Sequence, residues 1–284
     1  STADVARARE NGDTVLVDLF YNDRDVDAGD ALVLYMPEMV TEQGATLTSV
    51  LADRVTVGGT LEVGDSYSVT VTIDGATTTV SYTAKASDTE ITDIELSLIE
   101  LITTHETLSS ILNASSGPAN GVLLISAKSA DTTFSTTVAA SNTSSGDFDD
   151  ASAFVARTTV VAYDPDSVDG FDQMTAGDKV VDTFSYKALD SASENDHSGI
   201  STTRVNITVS GANDRPDAVS ETTAVDVIED GASVSIDGLA NDTDADLVDT
   251  VDTLIINSAT SENGATVSIE NGQVVYVPND VAAF

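Results

Sequence analysis

The feature that most constrains the fold of this chain is a stretch of 18 residues that occurs twice. Residues 10–27 read ENGDTVLVDLFYNDRDVD and residues 229–246 read EDGASVSIDGLANDTDAD, so that matched positions lie 219 residues apart. Both copies have Glu-x-Gly, then alternating apolar residues, then Asn-Asp-x-Asp-x-Asp. Such a repeat indicates two copies of one structural module. Because a small β module spans ~100 residues, the longer spacing predicts an insertion within the first copy.

Apolar and polar residues alternate with a period of two along much of the chain, which predicts half-buried β strands. Clear examples are Val69, Val71 and Ile73, then Phe184, Tyr186 and Ala188, and then Val205, Ile207 and Val209. These segments are rich in Thr and Val and are separated by Gly, Asn and Asp, a pattern typical of antiparallel sandwiches. We therefore predict a mainly β chain built from antiparallel sandwich repeats.

One segment departs from this pattern and predicts a helix. Apolar residues recur at steps of three and four from Ile91 to Leu112, after a capping box formed by Ser87 and Glu90. A single amphipathic helix in a β protein indicates that the insertion is a small α+β domain.

The repeat, the helix and the polar junctions together predict the domain organisation. The predicted domains are a first sandwich split into residues 1–42 and 151–213, an inserted α+β domain at residues 43–150, and a second sandwich at residues 214–284. The second copy ends before any equivalent of the strands DTFSYKALD and TTRVNITV, so we expect this sandwich to be incomplete at its C-terminal end.

The composition excludes several classes of function. The chain has 48 acidic and 11 basic side chains, a net charge of −37, so it is not expected to bind nucleic acid. It has no cysteine, which excludes disulfides and thiolate metal sites. No apolar run approaches the ~20 residues of a membrane span, so no membrane insertion is predicted.

The sequence does not predict an enzyme. The two histidines, His105 and His197, lie on the apolar side of the predicted helix and in a polar loop, and neither neighbourhood suggests a nucleophile. No glycine-rich phosphate loop precedes a helix. Carboxylate pairs suited to glycoside hydrolysis can be assembled almost anywhere in so acidic a chain, so they are uninformative.

The two Asn-Asp-x-Asp-x-Asp runs are the main candidate metal-binding segments of the sequence. Asp residues at alternate positions of an extended segment point the same way, and their oxygens suit Ca²⁺, which takes roughly 6–8 oxygen ligands. Mg²⁺ is a poorer match because it demands a tight octahedron and retains water. The alternative interpretation is that these residues only form Asx turns in a solvated loop. Two copies in so acidic a chain favour calcium.

The stretch from Val160 to Pro216 resembles the second half of a known repeat. It contains VVAYDPDSVDGF, AGDKVVDTFSYKALD and TTRVNITVSGANDRPDA. These segments are similar to VCBS-type, cadherin-like repeats of large bacterial surface adhesins of the RTX type, and residues 10–34 and 229–256 resemble the first half of the same repeat. The resemblance implies an Ig-like or cadherin-like sandwich, an extracellular location on the bacterial cell surface, and neighbouring repeats of the same chain as partners.

What the resemblance also implies is calcium bound between consecutive modules by a linker, an Asp-x-Asp pair and a glutamate. The implied ligands are Asn213 and Asp214 of the linker, Asp244 and Asp246 of the pair, Glu10, and Asp178 in AGDKVV, with Asp25, Asp27 and Glu229 as half-sites whose partner segments lie outside the sequence. Asp23 and Asp242 are expected to form turns rather than to bind metal.

Two functions follow as expectations. In the first, calcium stiffens the chain, which serves as a spacer or stalk in cell adhesion or biofilm attachment. In the second, residues 43–150 form a head that binds a cell-surface glycan or peptide. The absence of Trp weakens the hypothesis of glycan binding, because sugars usually stack on aromatic side chains. Tyr67 and Tyr82 are equally well explained as core residues.

Overall fold

A computed structural model of the chain describes residues 4–23, 32–36, 38–142, 150–190, 200–221, 225–228, 231–248, 254–262 and 265–278. Over these residues the chain is mainly β, as predicted. The strands are β1 (Asp4–Arg9), β2 (Val15–Val17), β3 (Leu32–Tyr35), β4 (Thr46–Gly58), β5 (Ser66–Ile73), β6 (Ala76–Thr83), β7 (Leu112–Ser116), β8 (Val122–Ala127), β9 (Phe134–Ser141), β10 (Ser152–Asp164), β11 (Lys179–Asp190), β12 (Ile200–Ser210), β13 (Val234–Ile236), β14 (Thr266–Glu270) and β15 (Gln273–Val277), with the α-helix α1 at Ile91–Thr103.

The chain divides into two compact units. The first unit comprises Ser1–Phe171 with Lys179–Ser210, and the second comprises Asp172–Asp178 with Gly211–Phe284. This division keeps residues 43–150 together with their flanking strands, and the predicted boundaries of a split sandwich and an insertion stay predictions.

The described residues of the first unit form three sheets. Their strand orders are β1-β12-β11-β3, β2-β10-β4-β8-β7 and β6-β5-β9. All pairs are antiparallel except β1 with β12, which is parallel. The alternating residues that predicted strands lie inside: Phe184, Tyr186, Ala188, Val205, Ile207 and Val209 are all buried. Alternation was a sufficient signal because each of these strands presents one face to a core.

The longest pairing in the first unit joins β4 and β10, which we call the long ribbon. It runs without a break from Thr46 opposite Asp164 to Gly58 opposite Ser152. Near one end, Leu16, Leu124 and Val160 form a buried apolar cluster with Ala52. Near the other end, Val55 and Val57 join a larger cluster with the buried face of α1 (Ile94, Leu98 and Ile102) and with the core residue Tyr67.

Helix α1 begins at the predicted residue but ends earlier than predicted. The capping residue pair is not Ser87 with Glu90: Asp93 accepts hydrogen bonds from the N–H groups of Thr89 (2.7 Å) and Glu90 (3.0 Å). The helix ends at Thr103 because a 3₁₀ turn follows at Leu108–Ser110 and Leu112 already begins β7. The apolar spacing continued to Leu112 because Leu108 and Leu112 are buried in the same core as the helix.

A buried carboxylate links the first two sheets of this unit. Asp182 on β11 is fully buried, and its Oδ2 accepts hydrogen bonds from the hydroxyls of Thr41 (2.5 Å) and Tyr163 (3.1 Å). Its Oδ1 accepts from the N–H groups of Gln43 (3.0 Å) and Thr183 (2.8 Å). Burial and then the charge of Asp182 raise the pKa of Tyr163, so its hydroxyl stays a donor. Asp182 therefore ties β11 to β10 and to the segment that leads into β4.

The described part of the second unit contains one three-stranded sheet of order β13-β15-β14. Strands β14 and β15 form a hairpin, and both of its turn residues, Asn271 and Gly272, have positive φ (52° and 80°). This Asn-Gly pair matches the turn that fits the twist of two antiparallel strands. A separate bridge joins Asp217 to Thr243, which brings the segment after the linker beside the second Asp run.

Candidate metal centre

The linker and the second Asp run meet in the second unit. The N–H of Asp214 donates to Oδ2 of Asp246 at 2.6 Å, and the N–H of Asp246 donates to Oδ1 of Asp244 at 3.0 Å. Asp244 precedes a 3₁₀ turn at Ala245–Val248, and its side chain accepts the N–H of Asp246 in that turn, as an Asp before a helical turn commonly does. Three of the predicted ligands are thus connected by direct hydrogen bonds.

Neighbouring residues hold this arrangement in place. Asp217 and Thr243 exchange two backbone hydrogen bonds of 2.8 and 3.2 Å. Oδ1 of Asp242 accepts the N–H of Val219 at 2.8 Å, so this carboxylate secures the passing segment. Asp242 belongs to the same run but contacts the segment after the linker. Asp246 contacts the linker at Asp214, and Asp244 contacts Asp246.

Asp246 is the most unusual residue of the group. It is 1% exposed, and its Oδ1 is buried without a hydrogen-bond partner among the described residues. A buried carboxylate oxygen without a partner costs free energy, more than a neutral polar atom would, because the charge has lost its water. A cation beside this oxygen would remove that cost, so this one oxygen of Asp246 fits a hard metal ion.

The other predicted ligands occupy different environments. Asn213 is exposed, and its Nδ2 donates to the carbonyl oxygen of Asp214 at 2.7 Å. Asp178 is exposed at a turn, where its Oδ2 accepts both the N–H and the hydroxyl of Thr175 at 3.0 Å. A turn-capping role explains its position.

The remaining predicted ligands are not brought into this group. Glu10 belongs to the first unit, where it is 1% exposed and its N–H donates to the carbonyl oxygen of Ser210 at 3.1 Å. That Glu10 contributes to a metal site therefore stays a prediction. Asp25, Asp27 and Glu229 lie outside the described residues.

Within the described ranges, no three acidic or histidine side chains stand close enough together to hold a metal ion. The donors at Asp214, Asp244 and Asp246 are all oxygens, the class that Ca²⁺ prefers over zinc or copper. The carboxylates of Asp244 and Asp246 each accept a backbone N–H from another residue of the group, Asp246 and Asp214 respectively.

Sequence reasoning missed the buried carboxylates of the first unit, and two sites among them each contain a buried tyrosine. One is Asp182, described above, and the other is Asp4, which meets Asp23 at the hydroxyl of Tyr186. Asp23 was expected to be a turn residue, but its partner is a tyrosine on β11. In the sequence, Tyr186 reads only as one apolar position of an alternating strand, so no local signal indicated this contact.

No protein-family model and no curated protein matches this chain. Among its described helices, none is both long and apolar enough to cross a membrane.

Proposed function

We propose that this chain is a calcium-binding segment of an extracellular bacterial adhesin, in which the ion stabilises the repeats of a spacer or stalk used in cell attachment or biofilm formation. The observation that carries the proposal is the buried, partnerless Oδ1 of Asp246 beside the linker. The duplicated Asp run and the net charge of −37 support it, because bound cations relieve repulsion among carboxylates.

Asp246, Asp244 and Asp214 are the residues that would hold calcium, with Asn213 as a neutral oxygen donor. When bound, the ion would supply positive charge beside the buried Oδ1 of Asp246. The chain's own part is to position them: the Asp217–Thr243 bridge and the Asp242 hydrogen bond fix the linker beside the Asp run. Extracellular sites of this kind typically bind calcium with Kd of about 10⁻⁴ to 10⁻³ M.

Isothermal titration of calcium into the full chain tests the site. We expect Asp246→Asn to weaken the tightest binding step by roughly tenfold or more, since affinity follows the charge of the ligands. Asp242→Asn is the matched control, because Asp242 lies in the same run and loses the same charge, while the remaining amide oxygen can still accept the N–H of Val219. Equal affinities for the wild type and Asp246→Asn would contradict the proposal.

A second candidate function is ligand binding by residues 43–150, and one surface favours it. The outward positions of the β6-β5-β9 sheet are almost all hydroxyl side chains, and these three strands contain no charged residue. Eleven of the twelve positions are Ser or Thr: Ser66, Ser68, Thr70, Thr72, Thr77, Thr79, Ser81, Thr83, Ser135, Thr137 and Ser141, with Ala139 as the exception. Such a face suits a neutral, hydroxyl-rich partner such as a glycan.

A glycan array probed with the full chain tests this second candidate. We expect any binding that uses this face to be lost in Thr70→Lys with Thr137→Lys, because two long charged side chains would then stand at its centre. Thr202→Lys, at an exposed position of β12, is the matched control. Binding that survives the double substitution, or no binding by the wild type, would reject this face as a glycan site.

A further inference from the structure

The hydroxyl of Tyr186 has more hydrogen-bond acceptors around it than hydrogens to give. Its oxygen lies 3.0 Å from Oδ2 of Asp4, 2.8 Å from Oδ2 of Asp23 and 2.8 Å from the carbonyl oxygen of Leu19. A tyrosine hydroxyl has one hydrogen, and ionised carboxylates and carbonyls have none. Three contacts at these distances therefore require at least one further hydrogen, and all of these groups are buried.

We propose that the Asp4 carboxyl group retains a proton in the folded protein and forms, with Tyr186 and Asp23, a proton-dependent clamp on strand β1. The Asp4 O–H donates to the Tyr186 oxygen, and the Tyr186 O–H then donates to Asp23, with the Leu19 carbonyl beside it. Asp4 is the first residue of β1, which among the described strands lies at the edge of its sheet and pairs with β12. The clamp joins the start of this strand to β11 and to the turn after β2.

The surroundings of Asp4 favour its neutral form. Asp4 is 7% exposed and Asp23 is 8% exposed, so neither carboxylate can be screened well by water. Burial is the main cause that raises the pKa of Asp4 to about 6, and the negative charges of Asp23 and Asp18 add to it. Hydrogen bonds from Tyr186 and Asn22 act in the opposite direction but do not offset the burial.

The other groups that face Asp4 supply little positive charge. Asp18, from the turn after β2, is buried, and its charge is already paired with Arg54 of β4 at 2.7 Å. Strand β12 places the apolar Val205 opposite Asp4 in the register. Burial also raises the pKa of Tyr186, so the tyrosine does not release the proton in place of Asp4.

The direction of the pH dependence follows from this arrangement. In the unfolded chain Asp4 titrates near its ordinary pKa of 3.8, and in the folded chain its pKa is about 6. Between these values the folded state holds a proton that the unfolded state has released, so stability falls as the pH rises. The contribution of the clamp is complete below pH 4 and is lost as the pH passes about 6.

Thermal unfolding of the full chain between pH 4.5 and pH 8, with a chelator present throughout, tests the clamp. Asp4→Asn keeps the shape and a donor but cannot ionise. We expect it to melt roughly 3 °C or more above the wild type at pH 7.5, and we expect this difference to narrow steadily as the pH falls toward 4.5. Asp182→Asn is the control, because that carboxylate is buried with all its donors in place and its substitution should lower the melting temperature at every pH.

Carbon-13 NMR of the Asp4 carboxyl group in the wild type gives a second test that does not depend on a variant folding. We expect its titration midpoint near pH 6. A midpoint near pH 4, or equal pH dependence for Asp4→Asn and the wild type, would overturn the proposal. It would also be overturned if calcium, added at pH 7.5, raised the wild type to the stability of Asp4→Asn and stabilised that variant less, because a cation would then take the place of the proton. Both chains carry the Asp246 site, so calcium bound there stabilises both, and chelator removes that ion from the pH series.

Discussion

Replacing Asp182 by alanine is expected to destabilise the first unit by about 3–5 kcal/mol. Its carboxylate accepts four hydrogen bonds inside the protein, from two hydroxyls and two backbone N–H groups. Alanine would leave the four donors without this acceptor, three of them on the buried residues Thr41, Tyr163 and Thr183, and would open a cavity between β11 and β10. Urea denaturation followed by circular dichroism measures the change, which should appear as a lower midpoint with an unchanged slope.

The asparagine variant separates hydrogen bonding from packing at the same position. Asp182→Asn preserves volume, and its amide can face Thr41 and Tyr163, whose hydroxyls can turn to accept. The N–H groups of Gln43 and Thr183 can still donate to the amide oxygen of the new side chain. We therefore expect the asparagine variant to lose about half as much free energy of unfolding as the alanine variant. Asp169→Ala, at an exposed position, should stay within about 0.5 kcal/mol of the wild type. If Asp182→Ala behaved like Asp169→Ala, the proposed bridge between the sheets would be wrong.

Removal of calcium is expected to give the second large effect. With Kd between 10⁻⁴ and 10⁻³ M, 10 mM calcium stabilises a folded site by about 1.4–2.7 kcal/mol, and a chelator removes this amount. Differential scanning calorimetry in 10 mM calcium and then in excess chelator measures it as a lower melting temperature of the transition that contains the second unit.

Two comparisons make the calcium result specific. Asp246→Asn should melt at nearly the same temperature with and without calcium, whereas Asp242→Asn should keep the wild-type response. Magnesium at the same concentration should stabilise less, because it holds its water and requires a tighter octahedron. A wild-type melting temperature that chelator leaves unchanged would count against calcium binding altogether.

Local pattern was enough to predict the strands and the start of the helix. Val69, Phe184 and Val205 alternate with polar neighbours because each strand buries one face, and that regularity is visible in the sequence. The end of α1 was missed because Leu108 and Leu112 share its core without being helical. Hydrophobic spacing reports which side chains are buried, and it does not by itself report the backbone that carries them.

The polar contacts of the first unit could not be predicted because they join distant parts of the chain. Tyr186 meets Asp4 across 182 positions, and Asp182 meets Thr41 across 141. Neither partner is marked by spacing, charge or a neighbouring motif. At the candidate metal centre the repeat and the family resemblance did indicate Asp214, Asp244 and Asp246, and these residues are hydrogen bonded to one another. Asp178 was predicted to bind metal only from its position in the resemblance. Its hydrogen bonds with Thr175 explain its place in the turn without a metal.

The long ribbon between β4 and β10 has a consequence for how the chain reaches its native state. Every one of its pairs joins residues separated by the whole of β5 to β9, so the ends must be brought together at a large loop-closure entropy. Strand β1 likewise cannot form its described pairing in the sheet until its partner β12 has been synthesised. A chain emerging from the ribosome therefore cannot complete its first unit until Ser210 has been synthesised, and a high contact order of this kind predicts slow folding.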